Sequence, residues 1–590
     1  MAQRTMARES TTKTRRQLLH TAGLIGVVGV AGCMGSNNES GGNGSGGGSS
    51  TTAAWIGEAG DGNLTKKHYN PLNFKEQQAA IYNYIWDPFA AQNDFTGEYY
   101  PYLITDWSVG KDAMQLQLRD GLTWWDGSKV DSKDLASTLK LEFLVNGAPE
   151  TIDTISEKDK TTVEIGLKEP TNASILEQTI LTKRLNIKHD VFKKYVSQYD
   201  QASSDDVQQK VREKLVNDKI EEPYGHGPWQ VDQVTPGKIT LKKYDKHPDA
   251  DKINFPTVEF NQMGGGNQKR WGAIKTGNLD GTKSFVESSV GETFPDAIKH
   301  KNYPANWGMG LWFNHDDPVL KKRNVRWAIA HLFDRKTIAK NSDATKKPVK
   351  VPDGITNAAT DKWLGDLTGK MKKYEKDTAK AERLLKKEGF TKKGGTWHEP
   401  NGKKFSLPIN VPAGWSDFTL SVQTMVSQLK NFGIQSQVKT SDSSSYLSDL
   451  WPNGNFRVAT YGWAAGIAYP YYTYRLTYAD QEVQGAISPP DTVKIPPVGK
   501  PNGKLNTVDP NDVLGNLEKK VDKSTEKKLM QKLAWLYNYT LPCLPVQEKL
   551  DQIWYNTDGW EYPSKDDKAM TYYDGLFSWL PRQGKLKATQ

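Results

Sequence analysis

The chain has only two cysteines, Cys33 and Cys543, among its 590 residues. Two thiols can form one internal disulfide at most, so a disulfide framework cannot stabilise a fold of this length. Cys543 lies between Pro542 and Leu544 in an apolar stretch. We expect it to be a buried and unreactive thiol.

The sequence motifs of common enzymes are also missing. The chain contains neither the G-x-S-x-G sequence of serine hydrolases nor the H-E-x-x-H sequence of zinc proteases, and its nine histidines are scattered. We therefore expect no cofactor, no metal site and no enzymatic activity. A glycosidase that uses two distant carboxylates would leave no such motif, so a lipid-anchored extracellular hydrolase is kept as an alternative.

The excess of positive charge is small. The net charge is +9, and residues 1–32 hold five basic residues against one acidic residue, which leaves +5 for the rest of the chain. Because no basic run with interleaved aromatic residues accompanies this weak excess, we do not expect binding to nucleic acid. A length of 590 residues with 36% hydrophobic and 25% charged residues predicts a globular protein of two or three lobes.

Long apolar runs are limited to one short segment near the N-terminus. A twin arginine, Arg15-Arg16, precedes the apolar segment Thr21–Ala31, which is too short to span a bilayer. Val30–Cys33 resembles the lipobox that precedes a lipid-modified cysteine. We therefore predict a twin-arginine signal peptide (1–32), a lipid anchor on Cys33 and a Gly/Ser linker (33–52), which place the protein on the extracellular face of the cytoplasmic membrane. In the alternative interpretation, Cys33 only ends a signal peptide.

The clearest pattern of local structure lies between residues 114 and 143. Apolar and polar residues alternate over Met114–Leu118, which predicts a half-buried strand, and Asp120-Gly121 predicts the turn of a hairpin. The next segment has apolar residues at four-residue spacing on one helical face. Asp131 or Ser132 can cap this helix.

This segment resembles the signature sequence of the family 5 extracellular solute-binding proteins. The residues that match the signature are Leu118, Arg119, Asp120, Gly121, Trp125, Asp126, Gly127, Asp134, Leu135 and Ser137. Further similarity lies in the segments Pro101–Trp107, Gly310–Asn314, Val325–Arg335, Ala379–Phe390 and Leu541–Val546. Members of this family are the peptide, nickel and oligosaccharide receptors of ABC importers.

The resemblance implies an α/β, two-lobed periplasmic-binding-protein-like fold (type II, cluster C) with an extra small subdomain in the first lobe. It places lobe I in 53–96, 221–308 and 543–590, the subdomain in 97–220 and lobe II in 309–542. The implied partners are a small solute and ABC permease subunits, and the implied state is a monomer. The two lobes are expected to close around the solute, which favours the closed state.

A histidine replaces the usual threonine in one family turn. Tyr224–Trp229 resembles the "GTGPY" turn of the family, with His226 at the threonine position. No second histidine or carboxylate lies at the spacing of a metal site. We therefore expect His226 to be a surface turn residue.

One departure from the family pattern concerns the ligand. In the peptide receptors, a similar segment has a Trp followed by an Asp that pairs with the α-ammonium group of the ligand. Trp463 matches the Trp, but Gly466 stands at the position of the Asp. A buried ammonium without an anionic partner is costly, so a free-amine peptide would lose its main anchor.

We therefore expect a neutral, hydroxyl-rich ligand, an oligosaccharide, held by aromatic rings. The candidate ligand-binding residues are Tyr461, Trp463, Trp415, Trp307, Trp312, Tyr471 and Tyr69. Arg475 is a further candidate for a carboxylate or hydroxyl contact, against the alternative of a surface salt bridge. An oligopeptide or dipeptide is the alternative ligand, nickel chelates and other solutes stay open, and a sensing or chaperone role on the same scaffold is not separated from transport.

Overall fold

A computed structural model describes residues 53–60, 62–263, 267–442 and 445–589. The predicted signal peptide, the lipid-attachment residue Cys33 and the linker 33–52 lie outside the described residues. The described chain divides into two compact units. The N-terminal unit contains 53–303 and 551–589, and the central unit contains 304–550. The predicted lobe boundaries were 308/309 and 542/543, whereas the units divide at 303/304 and 550/551.

Strands make up the framework of both units. In chain order they are β1 (Ala54–Ala59), β2 (Ala90–Gln92), β3 (Tyr99–Pro101), β4 (Ile104–Val109), β5 (Ala113–Leu118), β6 (Ile152–Glu157), β7 (Thr162–Leu167), β8 (Trp229–Val234), β9 (Lys238–Lys243), β10 (Thr257–Gln262), β11 (Gly281–Thr282), β12 (Ile298–Pro304), β13 (Met309–Phe313), β14 (Lys347–Pro348), β15 (Thr391–Lys393), β16 (Thr396–His398), β17 (Ile409–Pro412), β18 (Val438–Ser441), β19 (Val458–Gly462), β20 (Val493–Ile495), β21 (Asn506–Val508), β22 (Cys543–Pro545), β23 (Gln547–Glu548), β24 (Leu550–Asn556), β25 (Trp560–Glu561) and β26 (Lys587–Ala588).

Helices pack against these sheets. Those of the N-terminal unit are Tyr82–Ile85, Ser132–Asn146, Ala173–Leu181, His189–Asp200, Asp205–Leu215, Asn267–Lys275, Ser288–Gly291 and Leu576–Arg582. Those of the central unit are Arg323–Ala330, Arg335–Ser342, Thr360–Trp363, Thr378–Lys387, Ser416–Phe432, Tyr446–Leu450, Tyr471–Tyr478, Gln481–Ile487, Pro510–Glu518 and Lys523–Thr540. Among the described residues, no helix is both long and apolar enough to cross a membrane.

The N-terminal unit is built on three sheets. Two are four-stranded, with the orders β1-β10-β9-β8 and β4-β5-β7-β6, and the third has the order β11-β24-β12. Strand β1 pairs in parallel with β10, while β4 to β7 pair antiparallel. Because β24 comes after the central unit in the chain, the third sheet joins segments that are far apart in sequence.

The segment 114–143 forms the predicted strand and helix. Met114, Leu116 and Leu118 of β5 are buried while the residues between them are more exposed. The helix Ser132–Asn146 is capped by Asp131, whose side chain accepts from the Lys133 N–H while the Asp134 side chain accepts from the Asp131 N–H. The predicted second strand of the hairpin is reduced to a single bridge between Thr123 and Lys129.

The central unit has one mixed five-stranded sheet of order β18-β17-β19-β13-β22. Strand β17 is parallel to β18 and β19, whereas β13 is antiparallel to both β19 and β22. Residues 510–540 form two helices, Pro510–Glu518 and Lys523–Thr540, because the chain is extended at Lys519 and Asp522 caps a new helix with its side chain. Cys543 is fully buried in β22, and burial raises the pKa of its thiol, as expected for an unreactive residue.

His226 corrects a prediction, because it is fully buried and not a surface turn residue. Its Nε2 lies 2.9 Å from the carbonyl oxygen of Leu185, and its Nδ1 lies 3.7 Å from the carboxylate of Asp87. The same carboxylate binds His247 and Arg582. Burial alone would raise the pKa of Asp87, but the charge of Arg582, together with the interactions of His247 and His226, outweighs it and holds the pKa well below its usual range.

Candidate functional site

The segment that carries Trp463 and Gly466 begins at the end of strand β19 in the central unit. Strand β13 pairs with β19 so that Met309 lies opposite Gly462. Trp307 comes two residues before β13, and this register places it beside the residues that follow Gly462. The Trp463 N–H donates to the carbonyl oxygen of Gly308 over 3.1 Å, which fixes the two segments together.

Two glycines leave room for the Trp307 indole. A Cβ atom on Gly462 would lie 3.3 Å from a carbon of the Trp307 ring, closer than an ordinary van der Waals contact. A Cβ atom on Gly466 would lie 3.8 Å from both Trp307 Cδ1 and the carbonyl oxygen of Ala305, at ordinary van der Waals contact, and Gly466 is exposed with a φ of +74°. The position of the Asp in the peptide receptors is therefore occupied here by Gly466, which lies beside the Trp307 ring and has no side chain.

A lysine covers the Trp307 ring. The Nζ of Lys549 lies 4.9 Å from the centroid of the Trp307 ring and 5.6 Å from that of Phe418. The Lys549 N–H also donates to the Trp307 carbonyl oxygen over 3.0 Å. Backbone and side chain together hold Lys549 against Trp307.

The carboxylate of Asp417 is shared by two lysines. Its Oδ2 lies 3.0 Å from Lys346 Nζ and 3.2 Å from Lys549 Nζ. Burial alone would raise the pKa of Asp417, but the charges of Lys549 and Lys346 outweigh it and lower the pKa to about 2. Burial lowers the pKa of Lys346 more than Asp417 raises it. Asp417 is therefore ionised and already bound to cations.

The structure brings some of the predicted aromatic residues together. Trp415 and Trp307 are both half-buried and both approach Phe418, with ring centroids 5.1 and 6.4 Å from it. Tyr461 is also half-buried, but it stacks on Trp451 at 4.3 Å. Trp307 and Trp415 thus share one aromatic cluster with Phe418, in contact with Lys549.

Other predicted aromatic residues are buried within their own unit. Trp463 and Trp312 are fully buried, and the Trp463 Nε1–H donates to the Gln547 carbonyl oxygen over 3.1 Å. Tyr471 is 1% exposed and its hydroxyl donates to Glu518. Tyr69, 4% exposed, belongs to the N-terminal unit, and its N–H donates to Ile220.

The two charged residues of this site, Lys549 and Asp417, were not predicted from the sequence. Lys549 lies four residues after Pro545 of the predicted return strand, and Asp417 lies two residues after Trp415. Lysines are common in this chain, and nothing in the local pattern marks these residues. Asp417 and Lys549 are 132 residues apart in the chain, so their pairing depends on tertiary packing and leaves no local pattern.

Three comparisons with known proteins bear on the family and the fold of this chain. A family model described as "Bacterial extracellular solute-binding proteins, family 5 Middle" matches residues 98–485. A relative, the oligopeptide-binding protein OppA of Bacillus subtilis (strain 168), is 24% identical over 233 residues, which are 38% of this chain and 40% of that protein. The match to this relative therefore spans less than half of its length.

Solved structures agree with the fold. The periplasmic oligopeptide-binding protein of an oligopeptide ABC transporter from Thermotoga maritima, solved with mannohexaose bound, has a TM-score of 0.71 at 18% identity, covering 91% of this chain and 98% of that chain. The oligopeptide-binding protein AppA from Bacillus subtilis, in complex with a nonapeptide, has a TM-score of 0.63 at 15% identity, covering 91% and 99%.

These likenesses confirm the predicted two-lobed α/β fold of the periplasmic binding proteins. The family model covers well over half of the chain. The chain therefore belongs to the bacterial extracellular solute-binding proteins, family 5.

Proposed function

We propose that the protein is the substrate-binding receptor of an ABC importer and that its solute is an oligosaccharide. Membership of family 5 supports the receptor role over the hydrolase, since the relative OppA is an oligopeptide-binding protein. In this proposal the two lobes close around an extracellular solute and deliver it to permease subunits. The receptor works as a monomer on the outer face of the cytoplasmic membrane, held by a lipid on Cys33.

The observation that carries the ligand proposal is the missing anchor for an amine. Gly466 has no side chain at the position of the family Asp, and Asp417 is bound to Lys346 and Lys549. The ammonium group of a ligand at the Trp307 ring would approach the ammonium group of Lys549 before the carboxylate of Asp417. Burying such a group without an anionic partner is costly, so the site disfavours a free amine.

The half-buried rings of Trp307 and Trp415 suit a sugar. An indole offers a flat apolar surface with a polar edge, which matches the apolar face and hydroxyl rim of a pyranose ring. The Thermotoga maritima protein with the same fold was solved with mannohexaose bound, which supports an oligosaccharide on this scaffold. Tyr461 and the buried rings of Trp463, Trp312, Tyr471 and Tyr69 stay candidates of lower priority.

A peptide is the second candidate ligand. It is favoured by the relative OppA, an oligopeptide-binding protein, and by AppA, solved with a nonapeptide. Such a peptide would need an anchor other than a carboxylate at Gly466.

Thermal shift of the purified chain tests the proposal. The ligands are linear oligosaccharides of four to six sugars and peptides of similar length with free N-termini. A true ligand at a hundredfold its Kd adds about 2.7 kcal/mol of stability, so its melting temperature must rise with concentration. We expect the oligosaccharides to raise it. If only peptides do so, the sugar proposal is wrong, and if a stabilising sugar is cleaved during incubation, the hydrolase alternative is revived.

A further inference from the structure

We infer that the oligosaccharide carries carboxylate groups and that Lys549 is the residue that selects it. This inference rests on the proposed function. It replaces the neutral sugar expected from the sequence with an acidic one, such as a chain of uronates. It follows from the position of one ammonium group at the Trp307 ring, and from the space beside the same ring at Gly466.

Lys549 is the most accessible of the three charged side chains. Its side chain is 19% exposed, against 9% for Asp417 and 0% for Lys346. Lys346 is therefore the buried partner of Asp417, while Lys549 is the partner that reaches the surface of the aromatic cluster. A ligand that lies on this cluster meets an ammonium.

The balance of charge in this group is positive. Two ammonium groups share one carboxylate, which gives a net charge of +1 for Lys346, Lys549 and Asp417. Asp343 is a further carboxylate within electrostatic reach, but it acts on the buried Lys346, and its Oδ1 accepts from the N–H and hydroxyl groups of Thr345. Lys549 thus keeps an excess of positive charge at the Trp307 ring.

An ammonium group has three N–H donors. The ammonium group of Lys549 forms one ion pair, at 3.2 Å from Asp417 Oδ2, and lies over the Trp307 ring, so at least one donor is available to an oxygen of a ligand. Charge-assisted hydrogen bonds to a carboxylate are shorter and roughly twice as strong as neutral ones. A sugar carboxylate gains from this contact, a hydroxyl gains less, and a sugar ammonium is repelled.

Gly466 and Lys549 together invert the arrangement of the peptide receptors. Both residues lie beside Trp307, the glycine at Cδ1 and the lysine over the ring. Where the peptide receptors carry a carboxylate, this chain has a glycine in contact with the edge of the Trp307 ring, and a cation lies over the same ring. The sign of the charge at the ring is therefore reversed.

Calorimetric titration of the purified chain tests this inference with three sugars of equal length. The probes are oligogalacturonate, neutral oligogalactose and an amino-sugar oligomer. We expect the uronate to bind at least ~10-fold more tightly than the neutral sugar, as one charge-assisted hydrogen bond implies, and the amino sugar to bind most weakly. Rising salt should reduce the preference for the uronate.

Variants assign the preference to Lys549. Lys549→Gln should remove most of the difference between uronate and neutral sugar, and Lys549→Arg should keep it. Lys392→Gln is the matched control, because Lys392 also lies over rings of the central unit, 5.7 Å from Trp397 and 5.2 Å from Phe432. That control should bind all three sugars as the wild type does.

A second pair of variants tests the reversal of sign without touching Lys549. Gly466→Asp should improve binding of the amino sugar and weaken the uronate, whereas Gly466→Asn, with the same size and the same positive φ, should do neither. Equal binding of uronate and neutral sugar overturns the inference but leaves the proposed function standing. Binding of peptides alone overturns both.

Discussion

Asp353 is a buried carboxyl group in the central unit without a cationic partner in the part of the chain that the structure describes. One oxygen accepts from the Ile355 N–H over 2.9 Å, and the other has no hydrogen-bond partner. Burial raises the pKa of Asp353 to about 8. The carboxyl group is therefore protonated in the folded protein at pH values where it is ionised in the unfolded chain.

This difference predicts a loss of stability as the pH rises. The folded state binds the extra proton between the unfolded pKa of about 4 and the folded pKa of about 8, so the contribution of Asp353 to stability falls over that window. Asp353→Asn should raise the free energy of unfolding at pH 8.5 by about 4 kcal/mol relative to its effect at pH 5. Urea unfolding at both pH values measures this, with the exposed Asp361→Asn as control. An identical effect of Asp353→Asn at both pH values would contradict it.

Gly310 in β13 lies where no side chain fits. A Cβ atom there would lie 2.4 Å from Cys543 Sγ and 2.8 Å from Trp463 Cβ. We expect Gly310→Ala to lower the free energy of unfolding by about 1–3 kcal/mol through overpacking. Gly515→Ala is the control, because nothing lies within 4 Å of its Cβ position in a helix, and it should stabilise slightly. Denaturant unfolding compares the two, and equal stability of both variants would refute the steric reason.

At the residue scale, the sequence predicts the chemical state of a side chain better than it predicts the place of that side chain in the fold. The apolar surroundings of Cys543 were enough to predict a buried thiol, and the structure confirms it. For His226 the prediction failed, because the groups that bury it include Asp87, which is paired with Arg582, 495 residues away in the chain. Contacts of that separation leave no local pattern.

The capping box at the start of helix Ser132–Asn146 is a local device that sequence did reveal. Asp131 was one of two predicted caps, and its side chain accepts from the Lys133 N–H over 2.9 Å. We expect Asp131→Ala to cost about 1 kcal/mol of stability. Asp131→Ser, which keeps an oxygen at the cap, should cost only a few tenths of that. Thermal unfolding of the two variants distinguishes them, and equal losses would mean that the cap is not the cause.

Family motifs predict elements well, but not what their charged residues do. The segment Val325–Arg335, which resembles a family motif, begins within the helix Arg323–Ala330. Its Arg326 is buried and donates to four carbonyl oxygens, those of Leu320, Lys321, Thr540 and Leu541. Arg326 therefore holds two backbone segments together, and its place in the motif needs no ligand contact.

At the scale of the whole molecule, the family match made the two-lobed fold predictable, while the pairing of distant strands was not. Strand β24 is the middle strand of the sheet β11-β24-β12, and it begins 268 residues after Thr282 of β11. Nothing in the local sequence of either strand indicates this partner.

Truncation tests the two units separately. A chain that ends at residue 550 lacks almost all of β24 and the helix Leu576–Arg582, so the N-terminal unit should lose its folded state. The central unit, which is continuous in sequence and has its own core, should stay protected as a protease-resistant fragment that begins near residue 304. A chain that ends at residue 585 loses the pairing of β26 with β25, the buried Leu586 and the hydrogen bonds between Asn254 and Ala588, but it keeps β24 and the helix Leu576–Arg582 and should keep both units protected. Protection of the N-terminal unit in the shorter chain would contradict the assignment.

The position of β24 also sets an order of events on the ribosome. The central unit is complete once residue 550 has emerged, whereas the first 250 described residues must wait for the last 40 before the sheet β11-β24-β12 can close. Domains generally fold as units while the chain is being made, usually from the N-terminal end first. We therefore expect the central unit to fold first, while β11 and β12 of the N-terminal unit lack the strand that lies between them until β24 has emerged.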